Sequence, residues 1–230
     1  MGRAFLSLLF FASSAVAAPP PKESAENRFH RMFGTIYDPG KDCSITLDGS
    51  RLKIQIPGTP HRFTPGYESE KSTAPRVRRE ISGDFDIRIK VVSLTPPGPK
   101  SEGMAMTAGG LFVGTDDDKF ITMSRYINME VGGTGNTPQF LFQHRLPDSS
   151  ASELGLPQNN SNDKPIYLRL VRKTNQVNGY TSSDGKAWTL RGTQSYVWPH
   201  KVYVGVFASH GVNHAVEAVF EDFQVTQPTK

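Results

Sequence analysis

The sequence predicts an all-β sandwich of two packed antiparallel sheets, and three observations carry that expectation. About ten short segments alternate apolar and polar side chains with the period of two that half-buried strands require. Turn-forming pairs separate them, at Asp48-Gly49, Ser82-Gly83 and Asp184-Gly185, and both residues of an Asp-Gly pair tolerate the positive φ of tight hairpins. No stretch of twelve residues carries a helical period. So many strands on one core require two layers, and a chain with 37% hydrophobic and 10% aromatic residues can fill the space between them.

In chain order, residues 1–17 read as an export signal: an early Arg3, an apolar run over 4–12, and the small residues Ala15-Val16-Ala17 before a cleavage point near Ala18. An apolar run of that length is about half of the roughly 20 residues needed to cross a bilayer, and no later run is longer, so no membrane-spanning segment is expected. Residues 18–28 read as a tether, held extended by Pro19, Pro20 and Pro21. The folded unit is expected over 29–230. Its first clear strand is 51–56, with Leu52, Ile54 and Ile56 on one face. The next, from Phe85, places Ile87, Ile89 and Val91 inward and Asp86, Arg88 and Lys90 in water. Further strands are expected at 110–113, 120–126, 140–144, 167–173, 176–182, 188–191, 202–208 and 216–225. Two long connections, 93–103 and 146–164, are rich in Pro, Ser and Asn and read as surface loops.

The formal charge is +4, falling to +3 once the signal and its Arg3 are removed. That is too little to argue for nucleic acid. The densest basic stretch, Arg76-Val77-Arg78-Arg79, ends at Glu80 and reads as a solvated strand face. Cys43 is the single cysteine, so no intrachain disulfide forms and a small side chain packed on the core is expected.

Catalytic, metal and cofactor patterns of recognised spacing are missing, so no catalytic residue, metal ligand or cofactor is expected. Asp84 and Asp86 lie roughly 6.6 Å apart on one strand face by the rise per residue, within reach of glycosidic chemistry, but Arg88 and Lys90 share that face. Glu217 and Glu221 would be about 13 Å apart by the same rise, unless a bulge intervenes. His210 and His214 have helix-type spacing but flank Gly211 and Asn213, which favour a turn. Asp116-Asp117-Asp118 supplies too few oxygens in one place for calcium and reads as a hairpin tip. No Gly-x-Ser-x-Gly elbow occurs. Asn159-Asn160-Ser161 fits an N-glycan acceptor pattern, and Asp184 with Trp188 reads as a packed hairpin.

Several motifs in order resemble a known family. They are Tyr37-Asp38-Pro39-Gly40-Lys41-Asp42-Cys43, LKIQIPGTPH ending at His61, Ala74-Pro75-Arg76-Val77, Gly83-Asp84-Phe85, Gly109-Gly110-Leu111, Tyr167-Leu168-Arg169-Leu170, the hairpin at Asp184 to Trp188, Val204-Gly205-Val206 and Phe220-Glu221-Asp222-Phe223. Over about residues 34–225 the chain resembles bacterial concanavalin-A-like domains of unknown function. The resemblance implies a concanavalin-A-like jelly roll of two antiparallel sheets and suggests contact with a glycan, by analogy with lectins and glucanases of that architecture.

The expected role is therefore a secreted, non-catalytic binding module for carbohydrate. An envelope structural or protein-interaction domain is the alternative, and a glycan-active enzyme a lesser one. Alternation in 120–126 turns Ile121 and Met123 inward and leaves Thr122, Ser124 and Tyr126 on the other face. With His61, Arg76 and His144 adding polar reach near Tyr67 and Trp198, these six form the expected ligand-binding set.

Overall fold

The computed structural model describes residues 23–63, 71–98, 105–115, 119–129, 136–146, 149–157 and 164–228. The expected signal, the prolines of the tether, Tyr67, the Asp116 to Asp118 tip and the Asn159 acceptor lie outside them. The elements are α1 (Ala25–Phe33), β1 (Thr35–Tyr37), β2 (Ser44–Asp48), β3 (Arg51–Ile56), β4 (Arg76–Ser82), β5 (Phe85–Leu94), β6 (Met106–Gly114), β7 (Phe120–Met129), β8 (Asn136–Leu146), β9 (Ser149–Pro157), β10 (Ile166–Lys173), β11 (Gln176–Ser182), β12 (Thr189–Ser195), β13 (Lys201–His210) and β14 (Val216–Thr226).

The strands form two antiparallel sheets of seven, in the orders β1-β4-β13-β6-β7-β8-β9 and β12-β11-β10-β5-β14-β3-β2. This is the expected sandwich. Alternation assigns the inner faces: Leu52, Ile54, Phe85, Ile87, Ile89, Leu168, Leu170 and Phe220 of the second sheet meet Val77, Leu111, Val113, Ile121, Met123, Phe142, Val204 and Val206 of the first in one buried cluster. Gly49, Gly83 and Gly185 occupy the three expected turns with φ of 62°, 73° and 73°. Such values are strained for a residue with a Cβ.

One contact interlocks the sheets at β8. Gly179 and Gly192 are register partners on β11 and β12. Their bare Cα atoms form a notch that receives the Phe142 ring of β8, and an added Cβ at either would stand 2.5 Å from a ring carbon. The sheets thus interlock through one large side chain and the absence of two small ones.

Two elements differ from the sequence expectation. Residues 25–33 form a helix where a tether was expected to run into the first folded residues. Ser24 caps it by accepting from the Asn27 amide at 3.2 Å, and Gly34 ends it with a φ of 91°. Nine residues are too few to show a period, and only Phe29, Met32 and Phe33 supply its apolar side. Phe33 is buried and stacks on Phe223 at 5.5 Å. Arg79 donates to the Arg31 and Met32 carbonyls at 2.7 and 3.1 Å, so its guanidinium holds the helix end rather than facing water. The second difference is β9, an edge strand paired with β8 inside the stretch expected to be a loop. Its Ser, Ala and Gly content gives no alternation to read.

The carboxylates weighed for hydrolytic chemistry all have structural partners on the second sheet. Asp86 takes a two-pronged bond from Arg169 at 2.8 and 2.5 Å, and Asp84 accepts from the Thr174 amide at 2.7 Å. Glu221 receives Arg51 and Lys90, at 2.6 and 3.0 Å, beside a bulge that puts Asp222 at a φ of 56°. Glu217 accepts from Gln55 at 3.0 Å.

Candidate functional site

The first sheet turns its other face away from the core, and register sets out what that face carries. One row runs Arg76, Phe207, Gly110, Ser124 and Leu141 across β4, β13, β6, β7 and β8. The next runs Arg78, Gly205, Phe112, Thr122 and Gln143, and a third includes Tyr203, Gly114 and Phe120. Tyr37 of β1 lies opposite Arg76 and joins the same face.

This face is aromatic and basic at once. The Arg78 guanidinium sits between two rings, 4.3 Å from the Tyr37 centroid and 4.2 Å from that of Tyr203. Arg76 lies 4.4 Å from Tyr37, 5.3 Å from Phe63 and 5.8 Å from Phe112, and donates to Ser72 Oγ at 2.9 Å. Each distance is within the range over which a ring face attracts a cation. Phe63 folds over the sheet, 4.3 Å from Phe207, 4.8 Å from Phe120 and 5.6 Å from Phe112, so a second small apolar cluster sits on this side. It explains why β6 and β13 are buried on both faces. A small open pocket remains at the margin, bounded by Arg76, Arg78, Phe112, Thr115, Phe120 and Tyr203.

The six expected residues divide. Arg76, Thr122, Ser124 and Tyr126 share this face. Arg76 is buried in aromatic contact, so the solvated-face reading of its stretch does not hold there. Thr122 and Ser124 are each 1% exposed and form floor, with Thr122 Oγ1 lacking a hydrogen-bond partner among the described residues. Tyr126 packs against the small cluster. His144 pairs with Ile121, and in β8 it shares parity with the core residues Phe142 and Leu146, so it points to the opposite side of the sheet. Burial lowers its pKa. His61 lies elsewhere, bridged through its backbone to His210. Trp198 is buried in the main core.

Sequence reasoning missed Tyr37, Phe63, Arg78, Phe112, Gln143 and Tyr203. Arg78 was accessible, since it is two residues from Arg76 on one strand. The others depend on strand order, which alternation alone does not encode.

Four side chains with metal-binding atoms also meet, away from these rows: Asp38, Asp42, Cys43 and His61, whose donor atoms all lie within 4.8 Å of one another. No spacing rule finds them, because His61 arrives from a different segment.

No protein-family model matches the chain, and no curated protein is similar to it in sequence. Solved structures do share its fold. A functionally unknown protein from Saccharomyces cerevisiae is 15% identical, with a TM-score of 0.66 over 85% of this chain and 97% of that one. The GH43 protein BlXynB from Bacillus licheniformis is 15% identical with a TM-score of 0.56; 82% of this chain aligns to only 35% of that one. An alginate lyase from Klebsiella pneumoniae is 12% identical with a TM-score of 0.52, over 84% and 86% of the two chains. At these identities the likeness is one of fold. Among the described residues, no helix is long and apolar enough to cross a membrane.

Proposed function

We propose that this chain is an exported carbohydrate-binding domain, and that it takes an acidic polysaccharide at the margin of the first sheet's outer face. The observation that carries the reading is the stacked set Tyr37, Arg78 and Tyr203 beside Arg76, Phe112 and Phe120. Aromatic faces suit the apolar side of a sugar ring, and a guanidinium fork suits a uronate carboxylate better than a hydroxyl. Fold likeness to an alginate lyase, whose name gives an acidic glycan as its substrate, is consistent with this ligand class. So is the likeness to a GH43 protein for a glycan in general. Binding is favoured over hydrolysis because the four carboxylates weighed for that chemistry serve ion pairs and hydrogen bonds on the other sheet.

Export rests on residues 1–17, with Ala18 as the first mature residue; N-terminal sequencing of the secreted chain tests it. The binding claim is tested by titrating alginate, pectate, xylan and cellulose oligosaccharides into the mature chain by calorimetry. Acidic oligosaccharides are expected to bind, and Arg78→Ala and Tyr203→Ala to weaken them at least tenfold while leaving the melting temperature close to wild type. Silence across all four, or binding unchanged in both variants, overturns the reading. The appearance of new chain ends would replace binding by catalysis.

A further inference from the structure

We propose that Asp38, Asp42, Cys43 and His61 form a binding site for a divalent transition-metal ion of the zinc type. The inference is independent of the glycan reading, and it stands on three features of hydrogen bonding and packing.

The first is the histidine. His61 is 4% exposed and its Nδ1 lies 2.6 Å from the Thr59 carbonyl oxygen, which can only accept, so Nδ1 carries a proton. That leaves Nε2 facing Asp42 Oδ1 2.9 Å away. Either a proton shared between that nitrogen and the carboxylate or a metal ion in its place satisfies both atoms. A backbone carbonyl that fixes the distal nitrogen is also how metal-ligating histidines are commonly oriented.

The second is Asp38. Its Oδ2 accepts the Cys43 amide at 2.9 Å, which fixes the carboxylate, while Oδ1 is buried without a hydrogen-bond partner among the described residues. A buried carboxylate oxygen left this way is costly unless something positive meets it. On binding a doubly charged ion the Cys43 thiol would release its proton to solvent and its thiolate sulfur become a ligand.

The third is space. A Cβ on Gly40 would stand 2.5 Å from Asp42 Oδ1 and 3.1 Å from His61 Nε2, so glycine lets the turn lie directly against both donor atoms. Cys43 Sγ is 3.7 Å from Asp42 Oδ1. A tetrahedral zinc site has ligand-to-ligand edges of about 3.3–3.8 Å, so closing the set needs movements of about an ångström. One nitrogen, one sulfur and two oxygens suit zinc or cobalt and do not suit magnesium or calcium, which prefer all-oxygen shells. The ion would tie the turn after β1 to the segment carrying His61, next in sequence to Tyr37.

The test is cobalt and zinc titration of the full chain. Cobalt is expected to bind one per chain and give the thiolate-to-metal absorption and intense visible bands of a tetrahedral site, with zinc displacing it and calcium and magnesium failing to. Cys43→Ser should abolish the charge-transfer band, and Asp38→Asn should weaken zinc at least tenfold; in both, circular dichroism without metal should match wild type. Zinc should raise the melting temperature of wild type and not of Asp38→Asn. No thiolate band in wild type, or zinc affinity unchanged in both variants, would overturn the proposal and leave His61 hydrogen-bonded to Asp42. Loss of zinc binding on replacing the distant His30 and His200 alone would also overturn it.

Discussion

Phe142→Ala, alone and combined with Gly192→Ala, measures how the two sheets lock. Phe142 is 5% exposed and its ring fills the notch over Gly179 and Gly192. Removing it deletes most of a buried aromatic side chain and leaves a cavity that the paired strands cannot collapse into, for a loss of about 3–5 kcal/mol. Gly192→Ala in the intact protein drives a methyl into the ring, with Cγ only 2.5 Å from the new Cβ, and overpacking of that kind costs about 1–3 kcal/mol. In the double variant the same methyl enters vacated space. Its cost disappears and part of the cavity is filled, so the two changes should be less damaging together than their sum by about 1–3 kcal/mol. Urea unfolding followed by tryptophan fluorescence, with linear extrapolation at constant slope, gives the four stabilities of the cycle. Additivity within about 0.5 kcal/mol would refute the interlock, because it would mean that ring and glycine do not share the space.

Three further outcomes follow from single residues. Gly205→Ala, whose Cβ would overlap the Val77 carbonyl oxygen, should separate β13 from β4 and lower stability by about 1–3 kcal/mol, read by thermal unfolding. Thr122→Val keeps shape and removes a buried hydroxyl without a partner among the described residues, so it should raise stability by about 1 kcal/mol in the same assay. The Lys186 and Ala187 amides and the Ser182 hydroxyl hold the Asp184 carboxyl down to about 2. A depressed carboxylate contributes stability that is present above its unfolded pKa of about 3.9 and lost as pH falls toward the folded value, so Asp184→Ala should flatten the fall in stability between about pH 4 and pH 2.

Most of the fold is legible in the sequence because inner-face burial demands a period of two. The runs at Leu52, Phe85 and Phe120 obey it, and glycines at three turns mark where they end. What alternation leaves out is partner choice. Nothing local places β13 between β4 and β6, or brings Tyr37 across from Arg76. The short helix was hidden by its length and β9 by its small polar residues. On the outer face of the first sheet, parity put Thr122, Ser124 and Tyr126 on one side of β7, as the register shows. Parity also bears on His144, since Phe140 and Phe142 face the core at the same spacing. His61 joined Asp42 through a contact between segments, which no reading of one strand supplies.

We propose that the outer face of the first sheet holds the glycan. Amide and arginine side-chain chemical-shift mapping of the mature chain with a short alginate oligosaccharide tests it most directly. Shifts are expected to be confined to β1, β4, β6, β7 and β13 and to be largest at Tyr37, Arg78, Phe120 and Tyr203. Shifts clustered around Tyr167, Tyr180 and Trp188 on the second sheet, or no shifts at saturating sugar, would contradict it.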